Sequence, residues 1–389
     1  MTLTGKVMAL MLAMTSAATA QNIPPSVEFR VPKAPTVAMG DSGAFLTYEL
    51  HVTNLTTNVL SLKKVEVLAG PALAGGPALA GATPAVLLSL ADSAIMGIIA
   101  RPGQTVAPSE RLNIAGGTRA QLFLWVPLGP GAAPATVRHR LTFKRDSTVS
   151  VVEGTATPVE PSAVPIRAPL RGEWLAANGP SNLSGHRRTT LALNGVSAIG
   201  QRFAIDFLQI DSAGRTWRPG TDSTVNANYY AYGQDVISVG DGTVVFAKDS
   251  IAQNSPRSAV ARAVPIDLVT VAGNLIVVDM GQRHFAAYAH LQPGSLRVRA
   301  GDRVKKGQVI GLLGNSGNST EPHLHFQLID GLTPGASILG DEGIPYALES
   351  MDLVGRCDLS AAGVRCTRFA PMHLRGVVPR QNQLVRFPD

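Results

Sequence analysis

Two histidines separated by a single residue, His323 and His325, are the residues of this sequence best suited to carry chemistry. Successive side chains of a β-strand point to opposite faces, so this spacing predicts a polar face that holds both imidazoles. Leu324, Phe326 and Leu328 line the other, apolar face. Imidazole is a common metal ligand and exchanges protons near neutral pH. The pattern therefore predicts either a metal site that acts on bound water or the polar face of an ordinary edge strand.

Further histidines and one carboxylate lie where they can join this pair. The chain has 8 histidines, and four of them fall between positions 284 and 325, His290 among them. Upstream, the alternation around Asp206 predicts a strand whose core face holds Phe203 and Ile205 and whose opposite face holds the carboxylate. We expect Asp206, His290 and the histidine pair to share one groove of an almost all-β domain.

One hairpin and one further pair of strands are predicted in this domain. Residues 274–279 and 285–291 are apolar runs on either side of a short turn, and they predict one hairpin. Residues 230–247 predict two strands joined by the Gly-Asp-Gly turn at 240–242.

Composition narrows the class of protein. A hydrophobic content of 45% with 16% charged residues is typical of globular proteins, and 389 residues suffice for two or three domains. The 39 glycines and 27 prolines indicate many turns and favour β-rich architecture. The net charge is +7, but the basic residues are scattered and have no aromatic interleaving. We therefore expect no nucleic-acid partner, whereas an anionic surface such as a cell-wall polymer fits the charge.

The first twenty residues are predicted to be a secretory signal peptide. Lys6 precedes the apolar run 7–13, and Ala-Thr-Ala at 18–20 is a small-residue cleavage site. The run is too short to cross a bilayer, and no later segment reaches the roughly 18 uninterrupted apolar residues that a membrane helix needs. We expect a protein that is exported to the periplasm or the medium and has no membrane span.

The mature chain is predicted to contain two main domains. Residues 21–154 alternate as short strands separated by turns, which predicts a β-sandwich-like domain of unknown role. His51 and His139 fall in these strands without a companion ligand, so we expect structural roles for both. Residues 155–170 are Pro-rich and predict an extended linker. Residues 171–345 then form the domain that carries the histidine pair.

Residues 346–389 form a C-terminal tail with the only two cysteines, Cys357 and Cys366. In an oxidising compartment this spacing predicts a local hairpin disulfide. A structural zinc site would need several nearby ligands, and only His373 is available.

Between residues 288 and 328 the chain resembles the zinc metallopeptidases of the lysostaphin and LytM type, the M23 peptidases that cleave peptidoglycan cross-links. The matching pieces are Tyr-Ala-His-Leu at 288–291, Val-Arg-Ala-Gly-Asp-Arg-Val-Lys-Lys-Gly-Gln-Val-Ile-Gly at 298–311, Gly-Asn-Ser-Gly-Asn-Ser-Thr at 314–320 and Pro-His-Leu-His-Phe at 322–326. The resemblance covers about residues 200–330. It implies an antiparallel β LytM/lysostaphin-type peptidase domain, so that the whole chain is predicted to be mainly β, with the β-sandwich-like domain first.

The resemblance also implies the roles of the groove residues. By position, Asp206 and His325 look like ligands of Zn²⁺, and His290 and His323 look like the catalytic imidazoles. A zinc ion held by carboxylate and imidazole with one open position brings the pKa of its water to about 7. Hydroxide formed there can attack an amide carbonyl while the two imidazoles move protons or stabilise the oxyanion.

One position departs from the family pattern. The family has a histidine ligand four residues before the aspartate, and this chain has Arg202 there. A guanidinium stays protonated and cannot ligate zinc. His186 is the natural substitute, since it lies in a polar segment upstream of Asp206, although it is alternatively an ordinary surface residue. Asn178 or Asn182 is a candidate for a further oxygen ligand.

Two functions from different classes follow. The favoured one is a zinc metalloendopeptidase that hydrolyses peptide bonds in peptidoglycan, with the peptide cross-links as its partner. The alternative is a catalytically silent LytM-like domain that binds the cell wall or regulates another hydrolase, for which Arg202 is the evidence. Silent members are expected to lose several site residues together, and here one is missing. The sequence therefore favours an active enzyme.

Overall fold

A computed structural model describes residues 25–70, 84–160, 163–193, 195–257, 262–334, 337–360 and 363–389. The predicted signal peptide lies outside the described residues. Strands dominate these ranges, and the helical segments in them are single turns, namely the α-helices α1 (Ser93–Met96) and α2 (Gly185–Arg188) and the 3₁₀ turns Pro108–Glu110, Asn226–Asn228 and Ser337–Leu339. The predicted mainly β fold is confirmed. Among the described helices, none is long and apolar enough to cross a membrane.

The first domain is a sandwich of two antiparallel sheets. Its strands are β1 (Val27–Arg30), β2 (Val37–Gly40), β3 (Gly43–Asn54), β4 (Leu60–Ala69), β5 (Val86–Ala91), β6 (Ile99–Ala100), β7 (Asn113–Ile114), β8 (Arg119–Pro127), β9 (Thr136–Arg145), β10 (Thr148–Glu153) and β11 (Thr157–Pro158). One sheet has the order β1-β3-β8-β6 with β2 beside β3, and the other has the order β10-β9-β4-β5 with β11 beside β9 and β7 beside β4. Leu46, Leu50 and Leu122 belong to the core between the sheets.

The outer face of the β3–β8 sheet is buried as well. Phe45 on β3 belongs to the core of the second domain, and its ring stacks on Trp125 of β8 with centroids 4.2 Å apart. Glu49, on the same face of β3, is only 2% exposed. Because these side chains alternate with those of the sandwich core, the two faces of one sheet serve two different cores. The first domain therefore packs on the second through a whole sheet face.

The second domain is built on a ten-stranded sheet with the order β21-β18-β19-β20-β23-β16-β13-β27-β25-β26. The strands of this domain are β12 (Val164–Ile166), β13 (Gly172–Ala177), β14 (Leu191–Leu193), β15 (Val196–Ala198), β16 (Ile205–Leu208), β17 (Asp235–Ile237), β18 (Gly242–Lys248), β19 (Asn274–Asp279), β20 (Phe285–Leu291), β21 (Arg303–Val304), β22 (Val309–Leu312), β23 (Leu324–Ile329), β24 (Tyr346–Leu348), β25 (Met351–Ser360), β26 (Gly363–Leu374) and β27 (Gln383–Phe387). Three small pairs, β12 with β24, β14 with β15 and β17 with β22, lie beside the sheet.

The predicted hairpin and the predicted pair of strands are both present. Strands β19 and β20 pair as an antiparallel hairpin. Strands β17 and β18 flank the turn at 240–242 as predicted. They do not pair with each other, since β17 pairs with β22 and β18 pairs with β19 and β21.

The segment 346–389 is part of the sheet that carries the histidine pair. Strand β27 lies between β13 and β25, and Phe387 packs edge-to-face on Phe207 at 5.6 Å. Cys357 and Cys366 face each other across β25 and β26, and the predicted disulfide is confirmed. The Pro-rich segment before the domain contains β11, which pairs with the first domain, and β12, which pairs with the second.

We expect Phe387→Ala to destabilise the second domain by about 3–5 kcal/mol, because the ring is 2% exposed in its core. Chemical denaturation of the full chain measures the change. The matched control is Phe369→Ala on β26, whose ring is 36% exposed and whose loss should change stability by less than about 0.5 kcal/mol. Equal effects of the two substitutions would mean that the last strands are not part of the core.

A buried histidine in the first domain should make its stability depend on pH. His139 of β9 is 2% exposed, and its Nε2 lies 2.9 Å from the hydroxyl of Tyr48. Burial lowers the pKa of His139 to about 4. The folded domain therefore keeps this imidazole neutral, as an acceptor for the tyrosine hydroxyl.

The unfolded chain protonates His139 near pH 6.5, whereas the folded domain does so only near pH 4. The contribution of His139 to the free energy of unfolding should therefore be constant above about pH 6.5 and fall by about 3 kcal/mol as the pH drops to about 4. His51, whose pKa burial also lowers to about 4, adds a loss of its own over the same range. Denaturation curves at both ends of this range test it. The variant His139→Gln retains an acceptor for Tyr48, and its loss of stability between about pH 6.5 and about pH 4 should be smaller by about 3 kcal/mol. The same loss in both proteins would contradict the role given to His139.

Candidate metal centre

The centre of the large sheet brings Asp206 and His325 together. Strands β16 and β23 are antiparallel neighbours, and Asp206 lies directly opposite His325 in their register. Phe207, Leu324 and Phe326 point into the core on the other face of the sheet. The alternation predicted from the sequence is therefore present, and it leaves the carboxylate and the imidazole on one polar face. His325 Nδ1 lies 2.9 Å from Asp206 Oδ1.

His290 reaches the same face through an irregularity in β20. Its φ is 63°, in the left-handed region that non-glycine residues rarely occupy. The register between β19 and β20 shifts at this point, and Tyr288 and Leu291 both lie in the core below the sheet. The intervening residues, Ala289 and His290, are thus both on the polar side. Strict alternation would have placed His290 in the core with Tyr288, so sequence reasoning missed this bulge.

His323 and His186 complete the cluster. His323 precedes β23, and its Nε2 lies 3.4 Å from Asp206 Oδ1. His186 lies on the short helix α2, in the connection between β13 and β14, and its Nε2 lies 3.4 Å from Asp206 Oδ2. The ring of His290 is 4.8 Å from that of His323, centroid to centroid. The structure thus brings all five predicted site residues into one cleft.

Backbone carbonyls orient three of the four imidazoles. A carbonyl oxygen only accepts, so an imidazole nitrogen beside one carries the proton and the other ring nitrogen keeps its lone pair. In each case Nδ1 donates to a carbonyl and Nε2 is left for the cleft. The pairs are His186 with Asn178 at 3.0 Å, His290 with Ser316 at 2.8 Å and His323 with Glu321 at 2.8 Å.

His325 is held the other way round. Its Nε2 lies 2.7 Å from Gln327 Oε1, and the amide nitrogen of Gln327 donates to the carbonyl of Ile338 at 2.8 Å. This second bond fixes the amide oxygen toward His325, so Nε2 carries a proton and the lone pair of the neutral ring is on Nδ1. That lone pair faces the carboxylate of Asp206 at 2.9 Å. Two acceptor atoms at this distance need a shared proton or a metal cation.

The donor set fits a zinc ion. His186, Asp206 and His325 each offer one ligand atom, and these atoms all lie within 4.8 Å of one another. Bonds of zinc to such ligands are about 2.0–2.2 Å long, so tetrahedral ligand atoms lie about 3.4 Å apart. Two imidazoles and one carboxylate with an open fourth position form a ligand set that catalytic zinc sites use.

The two asparagines considered as further ligands have other contacts. The amide nitrogen of Asn178 donates to Asp206 Oδ2 at 2.8 Å, and its carbonyl orients His186. The amide oxygen of Asn182 accepts a hydrogen bond from Arg187. Asn178 therefore positions two members of the cluster, which sequence reasoning did not find.

Charge and burial set the protonation of the cleft. Burial alone would raise the pKa of Asp206, but His186 and His323 outweigh it and hold that pKa well below its usual range. Burial, with the neighbouring histidines, lowers the pKa of His290 well below its ordinary value. Burial also lowers the pKa of His186, against the effect of Asp206. By contrast, burial alone would lower the pKa of His323, but the effect of Asp206 outweighs it and raises that pKa. An ionised Asp206 beside a neutral His186 is the protonation state in which these two residues bind metal.

Arg202 is not part of the cleft. It is 3% exposed, and its guanidinium donates to Glu49 of the first domain at 2.7 Å and to the carbonyl of Gly343 at 2.9 Å. It also pairs with Glu342 at 2.7 Å. The residue in the position of the family's histidine ligand thus has a full set of partners elsewhere.

Comparison with known families locates the match in this domain. Residues 225–334 match the model of peptidase family M23, which confirms the resemblance identified from the sequence. The matched segment contains His290, His323 and His325 and leaves His186 and Asp206 outside.

Two relatives illustrate the extent of the similarity. Peptidoglycan DD-endopeptidase ShyA of Vibrio cholerae is 36% identical over 97 residues, which is 25% of this chain and 18% of that protein. Lysostaphin of Staphylococcus staphylolyticus is 52% identical over 56 residues, 14% of this chain and 11% of that protein. The chain thus spans less than a fifth of the length of either relative.

Two solved structures of peptidases match part of this chain. The catalytic domain of lysostaphin from Staphylococcus simulans is 22% identical and covers 43% of this chain and 86% of its own, with a TM-score of 0.23. A zinc containing peptidase from Vibrio cholerae is 16% identical and covers 79% of this chain and 83% of its own, with a TM-score of 0.20.

We expect the left-handed backbone of His290 to reverse the usual order of glycine and alanine in a strand. Glycine adopts positive φ freely, whereas alanine is strained there by about 1–2 kcal/mol. His290→Gly should therefore be more stable than His290→Ala by about 1 kcal/mol, measured by chemical denaturation in the presence of a chelator.

The control pair is Thr367→Gly and Thr367→Ala on the exposed face of β26. There the alanine variant should be the more stable by about 0.5–1 kcal/mol. The same order at both positions would contradict the bulge at His290.

Proposed function

We propose that this chain, with residues 225–334 matching peptidase family M23, is a zinc metalloendopeptidase that hydrolyses peptide bonds in peptidoglycan. The observation that carries the proposal is the lone pair of His325 facing the carboxylate of Asp206 at 2.9 Å, with His186 beside them. This arrangement is stable as a cation site. The names of the relatives support peptidoglycan as the substrate.

His186, Asp206 and His325 are the residues that would hold the zinc ion. When bound, zinc supplies an electrophile that polarises a peptide carbonyl and makes water a nucleophile near neutral pH. Gln327 and Asn178 keep the ligands oriented, the first through His325 and the second through the carboxylate. Such outer partners preserve the geometry that the ligands need.

His290 and His323 are the proposed catalytic imidazoles. Each is locked through Nδ1 on a backbone carbonyl, so each presents Nε2 to the cleft. A neutral Nε2 accepts a proton from an attacking water, and a protonated Nε2 donates to the developing oxyanion or the leaving amine. Two such groups on one side of the carboxylate can serve both halves of an amide hydrolysis.

The silent wall-binding alternative rests on Arg202 in the ligand position. Against it, the cleft retains the other family residues and gains His186 at the carboxylate. The formal charge of +7 supports contact with an anionic wall under either function. Export to the periplasm or the medium, with no nucleic-acid partner, belongs to the same proposal.

Elemental analysis of the purified protein should give about one zinc per chain, and both His186→Ala and His325→Ala should reduce it to near zero. A chelator should abolish release of peptides from purified peptidoglycan, and added zinc should restore it. His323→Ala should retain zinc but lower the hydrolysis rate by at least about 100-fold, because a proton-transfer group is lost.

The matched control is His373→Ala, which removes an exposed imidazole on β26. It should change neither the zinc content nor the rate of hydrolysis. If the unmodified protein binds no zinc at neutral pH even after supplementation, the silent binding domain replaces the enzyme. Sedimentation with peptidoglycan would then measure its wall binding.

A further inference from the structure

A single carboxylate of the first domain lies between two arginines of the second. Glu49 on β3 is 2% exposed, and Arg187 and Arg202 are 0% and 3% exposed. Arg187 Nε lies 3.1 Å from Glu49 Oε1, and Arg202 Nη2 lies 2.7 Å from Glu49 Oε2. The three groups form a buried Arg–Glu–Arg bridge across the domain boundary.

One arginine is the neighbour of a proposed ligand, and the other stands in the position of the family's ligand. Arg187 directly follows His186, and Arg202 occupies the position where the M23 resemblance implies a histidine ligand. Glu49 Oε2 thus binds Arg202, which stands in the position of the family's ligand. Glu49 Oε1 binds Arg187, the neighbour of the substitute ligand His186. The bridge therefore involves position 202, where the family's ligand is replaced, and position 187, next to the substitute ligand.

The segment that carries His186 is docked along the first domain. The guanidinium of Arg187 also donates to the carbonyls of Tyr48 at 3.0 Å and Leu124 at 2.8 Å. The guanidinium of Arg188 lies 4.4 Å from the ring centroid of Phe123. Thr190 then pairs with Gln121 of β8 through hydrogen bonds of 2.9 and 3.1 Å.

This segment has little support of its own. The helix α2 is one turn long, and Ser184 at its start makes no side-chain cap bond. A single helical turn is not stable in water without packing. Its contacts with the second domain include the hydrogen bonds of Ser184 and His186 to the Asn178 carbonyl and the approach of His186 to Asp206 and His325. Arg187, Arg188 and Thr190, which follow His186, are anchored on the first domain instead.

We propose that Glu49 is a positioning residue of the metal centre, and that the first domain holds the substitute ligand His186 in place through Arg187. The proposal rests on the proposed zinc function. It assigns the first domain a direct part in building the site, since the ligand geometry depends on a sheet of another domain. Glu49 and Glu342 together balance the charges of two buried arginines that would otherwise repel a metal ion nearby.

The test compares Glu49→Gln with the unmodified full-length protein by competition with a zinc chelator and by hydrogen exchange of residues 183–190. Glu49→Gln keeps the shape and removes the charge. We expect zinc affinity to fall by at least about 10-fold, the range seen when an outer partner of a ligand is lost. Exchange in the segment should become faster.

Glu66→Gln is the matched control. Glu66 is 8% exposed on β4 of the same domain and pairs with Lys64 at 2.8 Å, away from α2. A merely structural role for Glu49 would make both variants less stable and leave zinc affinity unchanged in both. If Glu49→Gln does not fold, Arg187→Lys, which keeps the charge but loses the bonds to the Tyr48 and Leu124 carbonyls, is measured in the same way.

The outcomes separate this inference from the proposed function. Unchanged affinity and unchanged exchange in the variant, with zinc bound by the unmodified protein, would overturn the positioning role and leave the enzyme intact. If the unmodified protein binds no zinc, the proposed function fails, and exchange of residues 183–190 alone decides the positioning role. Faster exchange then upholds it, and unchanged exchange overturns it.

Discussion

The antiparallel pairing of β16 with β23 is the constraint on which the rest of the site depends. It sets Asp206 opposite His325 in the middle of a ten-stranded sheet, with Phe207 and Phe326 fully buried beneath them. Directly opposite residues on one face lie about 4.5–5.5 Å apart at Cβ, and neither can move without breaking the ladder. The two groups therefore sit on the part of the fold least prone to local opening.

The remaining members of the cluster reach this pair by irregular means. His290 needs a bulge with a left-handed residue, and the surrounding pairing holds that strain in place. His186 needs a segment that the sheet does not contain and that another domain supports. The pair thus receives one partner from a bulge within the sheet and one from a segment outside it, and only the second can change without disturbing the sheet.

Local patterns in the sequence predicted the polar faces at Asp206 and at His325, the mainly β architecture and the disulfide, because each depends on residues close together in the chain. They did not predict the bulge at His290, since one inserted residue has no compositional signature. Nor could they place β27 in the sheet or assign the partners of β17, because strand partners far apart in sequence leave no local signal. Nor could the sequence predict that Arg187 binds Glu49, because these two residues are also far apart in the chain.

The bridge at Glu49 also bears on how such a site can change over generations. Histidine at position 202, as in the family pattern, would leave Glu49 with one arginine instead of two and loosen the contact between domains. Under the proposed ligand set, loss of His186 from the present chain would leave zinc with two protein ligands. The identities of residues 186 and 202 are then coupled through Glu49 and the metal, so a change at one position alters the effect of a change at the other.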